Sequence, residues 1–196
     1  MTKTLDEAGL DLIFRTARSY NGYAADAVSD ADLQAIYDLA KMGPTAANQQ
    51  PMRIVWVKSS EAKQKLSTLV SANNEKKVLG APVTAIIGMD HDFPETLAKV
   101  FPHTNAKAWF EGNRPLIESS AFRNSSLQGA YLILAARALG FDVGPMSGFD
   151  NDKVDEAFFA GTNIKSNFIA TIGHGDPASI FDRLPRLDFD ETNSIV

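Results

Sequence analysis

Residues 43–58 read GPTAANQQPMRIVWVK, and the segments before and after them take their meaning from this stretch. A helical periodicity stops at Gly43-Pro44. An irregular segment rich in side-chain amides and hydroxyls follows, with Thr45, Asn48, Gln49 and Gln50. Pro51 then leads into Arg53–Lys58, a short β-branched run that reads as a strand. So many fixed donors and acceptors, held between a helix end and a buried strand, suit a neutral, planar, hydrogen-bonding ligand. A phosphate cradle would show clustered glycines instead.

Before the loop, Leu33, Ile36, Leu39 and Ala40 mark one face of a helix. Ser29-Asp30-Ala31-Asp32 opens it with a capping oxygen and acids in the first turn. Earlier still, Leu5, Ala8, Leu12 and Ile13 predict an amphipathic helix from Thr4 to about Arg18, ending at Ser19-Tyr20-Asn21-Gly22. After the strand, Ser59-Ser60-Glu61 opens a third helix through Leu66, Leu69 and Val70. Ser71–Lys77 is polar and reads as irregular. Pro82–Gly88 (PVTAIIG) is a second strand whose unbroken apolarity calls for cover on both faces. Met89–Pro115 reads as a long excursion with one short helix, the kind of segment that often serves as a lid or substrate loop. From Pro115 to Gly140 runs the strongest helix, with broad apolar faces and a C-cap glycine at its end. Gly144–Gly148 reads as a second loop, Asp150 caps a short helix through Val154, Ala157 and Phe158, and Asn167–Gly173 is a third strand.

At 196 residues the chain suits one domain spanning 1–196, with length enough for a substantial core. Hydrophobic residues at 44% and charged residues at 22% place it among soluble globular proteins. A net charge of −5 offers no attraction for nucleic acid or an anionic membrane. With no cysteine, disulfides, thiolate metal sites and cysteine nucleophiles are excluded. The N-terminal residues lack the apolar run of a secretory signal, and no window is long enough to span a bilayer, so a cytoplasmic protein is expected.

Three histidines without zinc-protease spacing argue against a catalytic metal. Gly144-Pro-Met-Ser147-Gly148 mimics a nucleophile elbow but lacks the glycine two residues before the serine. No Gly-x-Gly-x-x-Gly or Walker pattern occurs. Four polar patches remain: Arg18-Ser19 to Asn21, Pro44 to Gln50, Gly144 to Gly148, and Arg183 to Arg186. The first and last carry arginines suited to a phosphate or carboxylate. The other two offer amides and backbone groups.

The order of these patches resembles the nitroreductase family of flavoproteins. The resemblance rests on Ala17-Arg18-Ser19 with Tyr23, on Pro44-Thr45-Ala46-Ala47-Asn48-Gln49-Gln50-Pro51-Met52-Arg53, and on Ala135–Gly140 (AARALG). Within the family, Phe122–Ser126, Gly144–Asp150, Lys165–Asn167 and Arg183–Leu187 are similar to the malonic semialdehyde reductases of pyrimidine degradation.

The resemblance implies an α+β fold with a mainly antiparallel sheet surrounded by helices, in a domain-swapped-style homodimer. It also implies one FMN in each of two interface pockets, with NADH or NADPH as co-substrate. By position, Arg18, Ser19, Arg183 and Arg186 would hold the FMN phosphate. Pro44, Thr45 and Asn48 would reach the flavin from the partner chain. Asn74 would lie near the pyrimidine edge, and Ser147 and Gly148 near the reducible centre. Arg123 is the candidate for a substrate carboxylate, set against a plain surface ion pair. Catalysis would need no protein nucleophile or base, because the flavin carries the redox chemistry. The expected reaction is ping-pong reduction of malonic semialdehyde to 3-hydroxypropanoate. A broad nitro- or quinone-reductase, and a flavin-binding module without turnover, are the alternatives.

Overall fold

The computed structural model describes residues 3–196. Four strands form one fully antiparallel sheet in the order β1-β2-β4-β3: β1 (Met52–Val57), β2 (Val83–Asp90), β3 (Asp142–Met146) and β4 (Ile164–Gly173). The α+β architecture with an antiparallel sheet flanked by helices agrees with the sequence reading. Central β2 alternates as its pleat requires. Val83, Ala85 and Ile87 join one apolar cluster and Ile86 joins another, so both faces are covered as expected.

On one face lie α2 (Asp30–Ala40) and the C-terminal half of α6 (Arg114–Ala138), through Ile36, Leu132 and Ala136. On the other lie α3 (Ser60–Ser67), α4 (Ala72–Gly80) and α7 (Asn151–Phe158), through Leu66, Val78 and Val154. Each of these six side chains is fully buried. The start of α2 and the end of α6 fall where the sequence puts them. Ser29 accepts from the Asp32 amide at 3.1 Å while Asp32 accepts from the Ser29 amide at 2.8 Å, a reciprocal cap. Gly140 takes a left-handed φ of +84°, and Phe141 N reaches Ala136 O at 2.9 Å, closing α6 with a Schellman motif.

Four expectations change. The first helix shrinks to α1 (Glu7–Leu10) and a π turn (Asp11–Arg15) with no buried residue; Leu5, Leu12 and Phe14 stay exposed. Ser71–Lys77 is not irregular, since it forms most of α4. Two inward positions a turn apart, Asn74 and Val78, suffice to dock a helix whose other faces are polar. Gly144–Met146 belongs to an edge strand rather than a loop, and only Ser147 and Gly148 follow its end. Pro145 hid that strand, and an edge is where a strand tolerates proline. Lastly, the excursion after β2 folds into the short helix α5 (Leu97–Val100) flanked by two 3-10 turns, Phe93–Thr96 and Ala106–Trp109. It has its own apolar cluster, in which Phe93 meets Phe110 edge-on at 4.9 Å.

Candidate functional site

Beyond the π turn, residues 17–21 run beneath the C-terminal tail. Arg183 Nη2 donates to Arg15 O at 2.8 Å and Ala17 O at 2.9 Å. Arg18 donates back to Phe181 O, and Asn21 Nδ2 donates to Ser179 O at 2.8 Å. These bonds leave a cleft of about 410 Å³, lined by Arg18, Ser19, Arg137, Arg183 and Arg186, with Asp182. Four guanidiniums against one carboxylate make this an anion site by composition. Each arginine has five N–H donors, so the bonds to carbonyls leave several free.

Arg137 enters from the last turn of α6. Its Nε is buried without a partner, and Nη1 makes only a long 3.4 Å bond to Ile13 O. Burial pushes its guanidinium below the usual arginine range; nearby Asp142 opposes that shift, and Arg183 adds to it.

The loop from Gly43 to Pro51 is held by the long helix. Ser120, Asn124 and Gln128, four residues apart, form a buried polar stripe on α6. Ser120 Oγ donates to Gln49 Oε1 at 2.8 Å, and Asn124 Nδ2 donates to the same oxygen at 3.1 Å. Asn124 Oδ1 accepts from Ala46 N at 2.8 Å, and Gln128 Oε1 accepts from Met52 N at 2.9 Å. Pinned this way, the chain holds Ala47, Asn48 and Gln50 at φ of 48°, 49° and 46°. Three non-glycine residues in the left-handed region within four positions store strain that the clamp must offset. Gln49 points inward, while Pro44 and Asn48 stay exposed. At the loop exit, Arg53 Nη1 donates to Gln50 O at 2.9 Å, and Arg53 pairs with Asp90 at 2.6 Å.

A third group forms at the end of β3. The Gly148 carbonyl accepts from Ser71 N at 2.9 Å and from Asn74 Nδ2 at 3.0 Å. A Cβ on Gly148 would stand 2.7 Å from Ser71 Oγ and 2.8 Å from Asn74 Nδ2, so the backbone here comes as close as glycine allows. Beside it, Ser147 is exposed on a cleft of about 440 Å³ shared with Ser126, Met146, Asn167 and Phe168. Asn167 Nδ2 donates to Ser125 Oγ and Ser126 Oγ, both at 2.9 Å.

The structure therefore unites Arg18, Ser19, Arg183 and Arg186 in one cleft, and Asn74 with Gly148 and adjoining Ser147 in another place. Pro44, Thr45 and Asn48 line neither cleft within the chain. Arg123 is exposed on α6 and, among the described residues, forms no ion pair. Arg137 was missed as a site residue because its place in a last helical turn already accounts for a basic side chain. The polar stripe was visible as a four-residue repeat among apolar positions. Among the described residues no three His, Asp or Glu side chains converge on a point where a metal would sit, and no helix is long and apolar enough to cross a membrane.

The fold recurs in known proteins. Residues 14–174 match the model of the nitroreductase family. The chain belongs to the nitroreductase family. Its relatives include a Stenotrophomonas maltophilia protein provisionally named NADH dehydrogenase/NAD(P)H nitroreductase, 60% identical over 195 residues and all of both chains. A Burkholderia lata protein of the same provisional name is 57% identical over 188 residues, 96% of each chain. Among solved structures, a nitroreductase-type protein from Exiguobacterium sibiricum in complex with FMN superposes with a TM-score of 0.86 at 20% identity, covering both chains fully. One from Bacillus subtilis gives a TM-score of 0.87 at 23% identity, over 97% of this chain and 100% of that one. At such identities the solved structures establish the nitroreductase fold.

Proposed function

We propose that this nitroreductase-family chain is an FMN-dependent NAD(P)H oxidoreductase, one domain over residues 1–196 acting as a homodimer, which reduces malonic semialdehyde to 3-hydroxypropanoate. The observation that carries the flavin assignment is the arginine cleft. Its donors are guanidinium and hydroxyl groups, and Arg137, whose Nε has no protein partner among the described residues, is part of its lining. That donor set fits a phosphate monoester by charge and by planar, two-point geometry. Arg18, Ser19, Arg183 and Arg186 hold the phosphate. Asn74 and the Ser147–Gly148 backbone lie against the ring, and Pro44, Thr45 and Asn48 come from the partner chain.

When bound, FMN supplies hydride acceptance from the reduced nicotinamide and hydride delivery to the substrate. What the protein contributes is position and electrostatics, with no nucleophile. Ser147 fits that role, since among the described residues its hydroxyl bonds to no acid or base. Arg123, exposed and without an ion pair among the described residues, would take the substrate carboxylate.

The dimer is supported by what the chain leaves uncovered. Phe122, Leu127 and Tyr131 on α6 are 55%, 47% and 39% exposed, and Met42 at the start of the loop is 75% exposed. Large apolar side chains left exposed on one helix and the adjoining loop suit an interface. Light scattering should give twice the chain mass.

A second reading, reduction of nitro compounds or quinones at large, is favoured by the names of the close relatives. Steady-state kinetics with NADH and with NADPH separates the two. For the aldehyde assignment, kcat/KM for malonic semialdehyde must exceed that for nitroaromatics and quinones by about 100-fold or more. Comparable values would remove it and leave the general reductase.

A further inference from the structure

The four arginines of the cleft are not equivalent. Arg18, Arg183 and Arg186 each spend donors on backbone carbonyls of the two segments that build the cleft: Arg18 on Phe181, Arg183 on Arg15 and Ala17, Arg186 on Leu184 and Pro185. Arg137 builds nothing comparable. It projects from a 25-residue helix, with one 3.4 Å bond and a buried, unpartnered Nε. Asp142, an acid in its neighbourhood, accepts from Gly175 N at 2.8 Å and makes no ion pair with it among the described residues. A cation offsetting only a helix dipole would stay in water, where the charge is cheap. Here the side chain is half-buried and shares a cleft with another cation, Arg183, an arrangement that an anion between them would relieve.

We propose that Arg137 is an anion ligand of this cleft, gripping the phosphate from a rigid helix and making the chain select FMN over unphosphorylated flavin. The assignment rests on the flavin reading above. The three arginines on the segments close the cleft, and Arg137 reads what enters it, because its donors are fixed by the helix and otherwise unused.

The test is a fluorescence titration of FMN and of riboflavin into the intact apoprotein, for wild type, R137Q and R137K. R137Q should weaken FMN by about tenfold or more while leaving riboflavin within about twofold, since one charge-assisted contact to the phosphate is lost. R137K should fall between, keeping the charge but losing the fork. Equal weakening of FMN and riboflavin, or unchanged FMN, would assign Arg137 a structural role and overturn the proposal. Should R137Q fail to fold, R137K decides by the same FMN-to-riboflavin comparison. A wild type that binds neither flavin, or both alike, would sink the reading of the cleft itself. A selective wild type with an equally selective variant would sink only Arg137's part.

Discussion

Gln128 closes the first strand from across the fold: its Oε1 accepts the amide of Met52 at 2.9 Å, with Gln128 only 4% exposed. One turn earlier, Asn124 does the same for Ala46. The long helix thus acts as a clamp on a loop that would not hold three left-handed residues unaided.

Replacing Gln128 by Leu keeps the volume but strands a buried amide. Stability should fall by about 1–3 kcal/mol, the cost of an unsatisfied buried donor. Urea denaturation reads that loss. Hydrogen exchange should also quicken from Ala46 to Met52, more than in the helix itself. An unchanged denaturation midpoint would mean that water replaces the amide.

Gly148 and Gly80 make a matched pair. An added Cβ at Gly148 meets Asn74 Nδ2 at 2.8 Å, whereas at Gly80 it meets nothing within 4 Å. Gly148→Ala should displace Asn74, cost about 1–3 kcal/mol and weaken flavin binding. Gly80→Ala, at the end of α4, should be neutral or stabilise by about 0.5–1 kcal/mol. Thermal melts of both variants, with and without FMN, give the comparison.

Tyr23 titrates abnormally. Burial pushes its phenol up to about 12 against an ordinary 10, although the hydroxyl bonds Thr171 Oγ1 at 2.7 Å. Between those values the unfolded chain has lost its proton and the folded chain keeps it, so stability falls as pH rises through that window. The loss should reach about 2–3 kcal/mol. Tyr23→Phe should flatten this limb in denaturation curves taken from pH 9 to 12.

Arg186 stands on the exposed tail and, among the described residues, bonds only its own neighbours, Leu184 O and Pro185 O. Arg186→Ala should weaken FMN by about 1.5–3 kcal/mol without moving the melting temperature of the apoprotein. Unchanged flavin retention, measured by equilibrium dialysis, would place the tail away from the phosphate.

Local signals carried the fold far. The Ser29–Asp32 cap, Gly140 and the two-sided apolarity of Val83–Ile87 each act within a few residues, so the sequence alone discloses them. The failures lie where long-range packing decides. Helix α4 forms because Asn74 and Val78 find partners on other elements. Strand β3 forms because β4 offers it an edge. Helix α6 looked broadly apolar, yet Leu127 and Tyr131 face outward while Ser120, Asn124 and Gln128 face the loop. Of the site, the arginine patches at the two ends of the chain could be read in advance and meet in one cleft. Arg137 could not, because nothing in its neighbours' spacing says that its guanidinium turns inward.

In the proposed function, the arginine cleft and the Asn74–Gly148 corner together make a redox-active flavin site. An absorbance spectrum of the purified protein after incubation with FMN and removal of the excess tests it most directly. The account predicts a retained yellow band at about one flavin per chain, bleached anaerobically by NADH or NADPH and restored by an electron acceptor. A protein that retains no flavin at any concentration tried, or whose bound flavin no reduced nicotinamide can bleach, would contradict it.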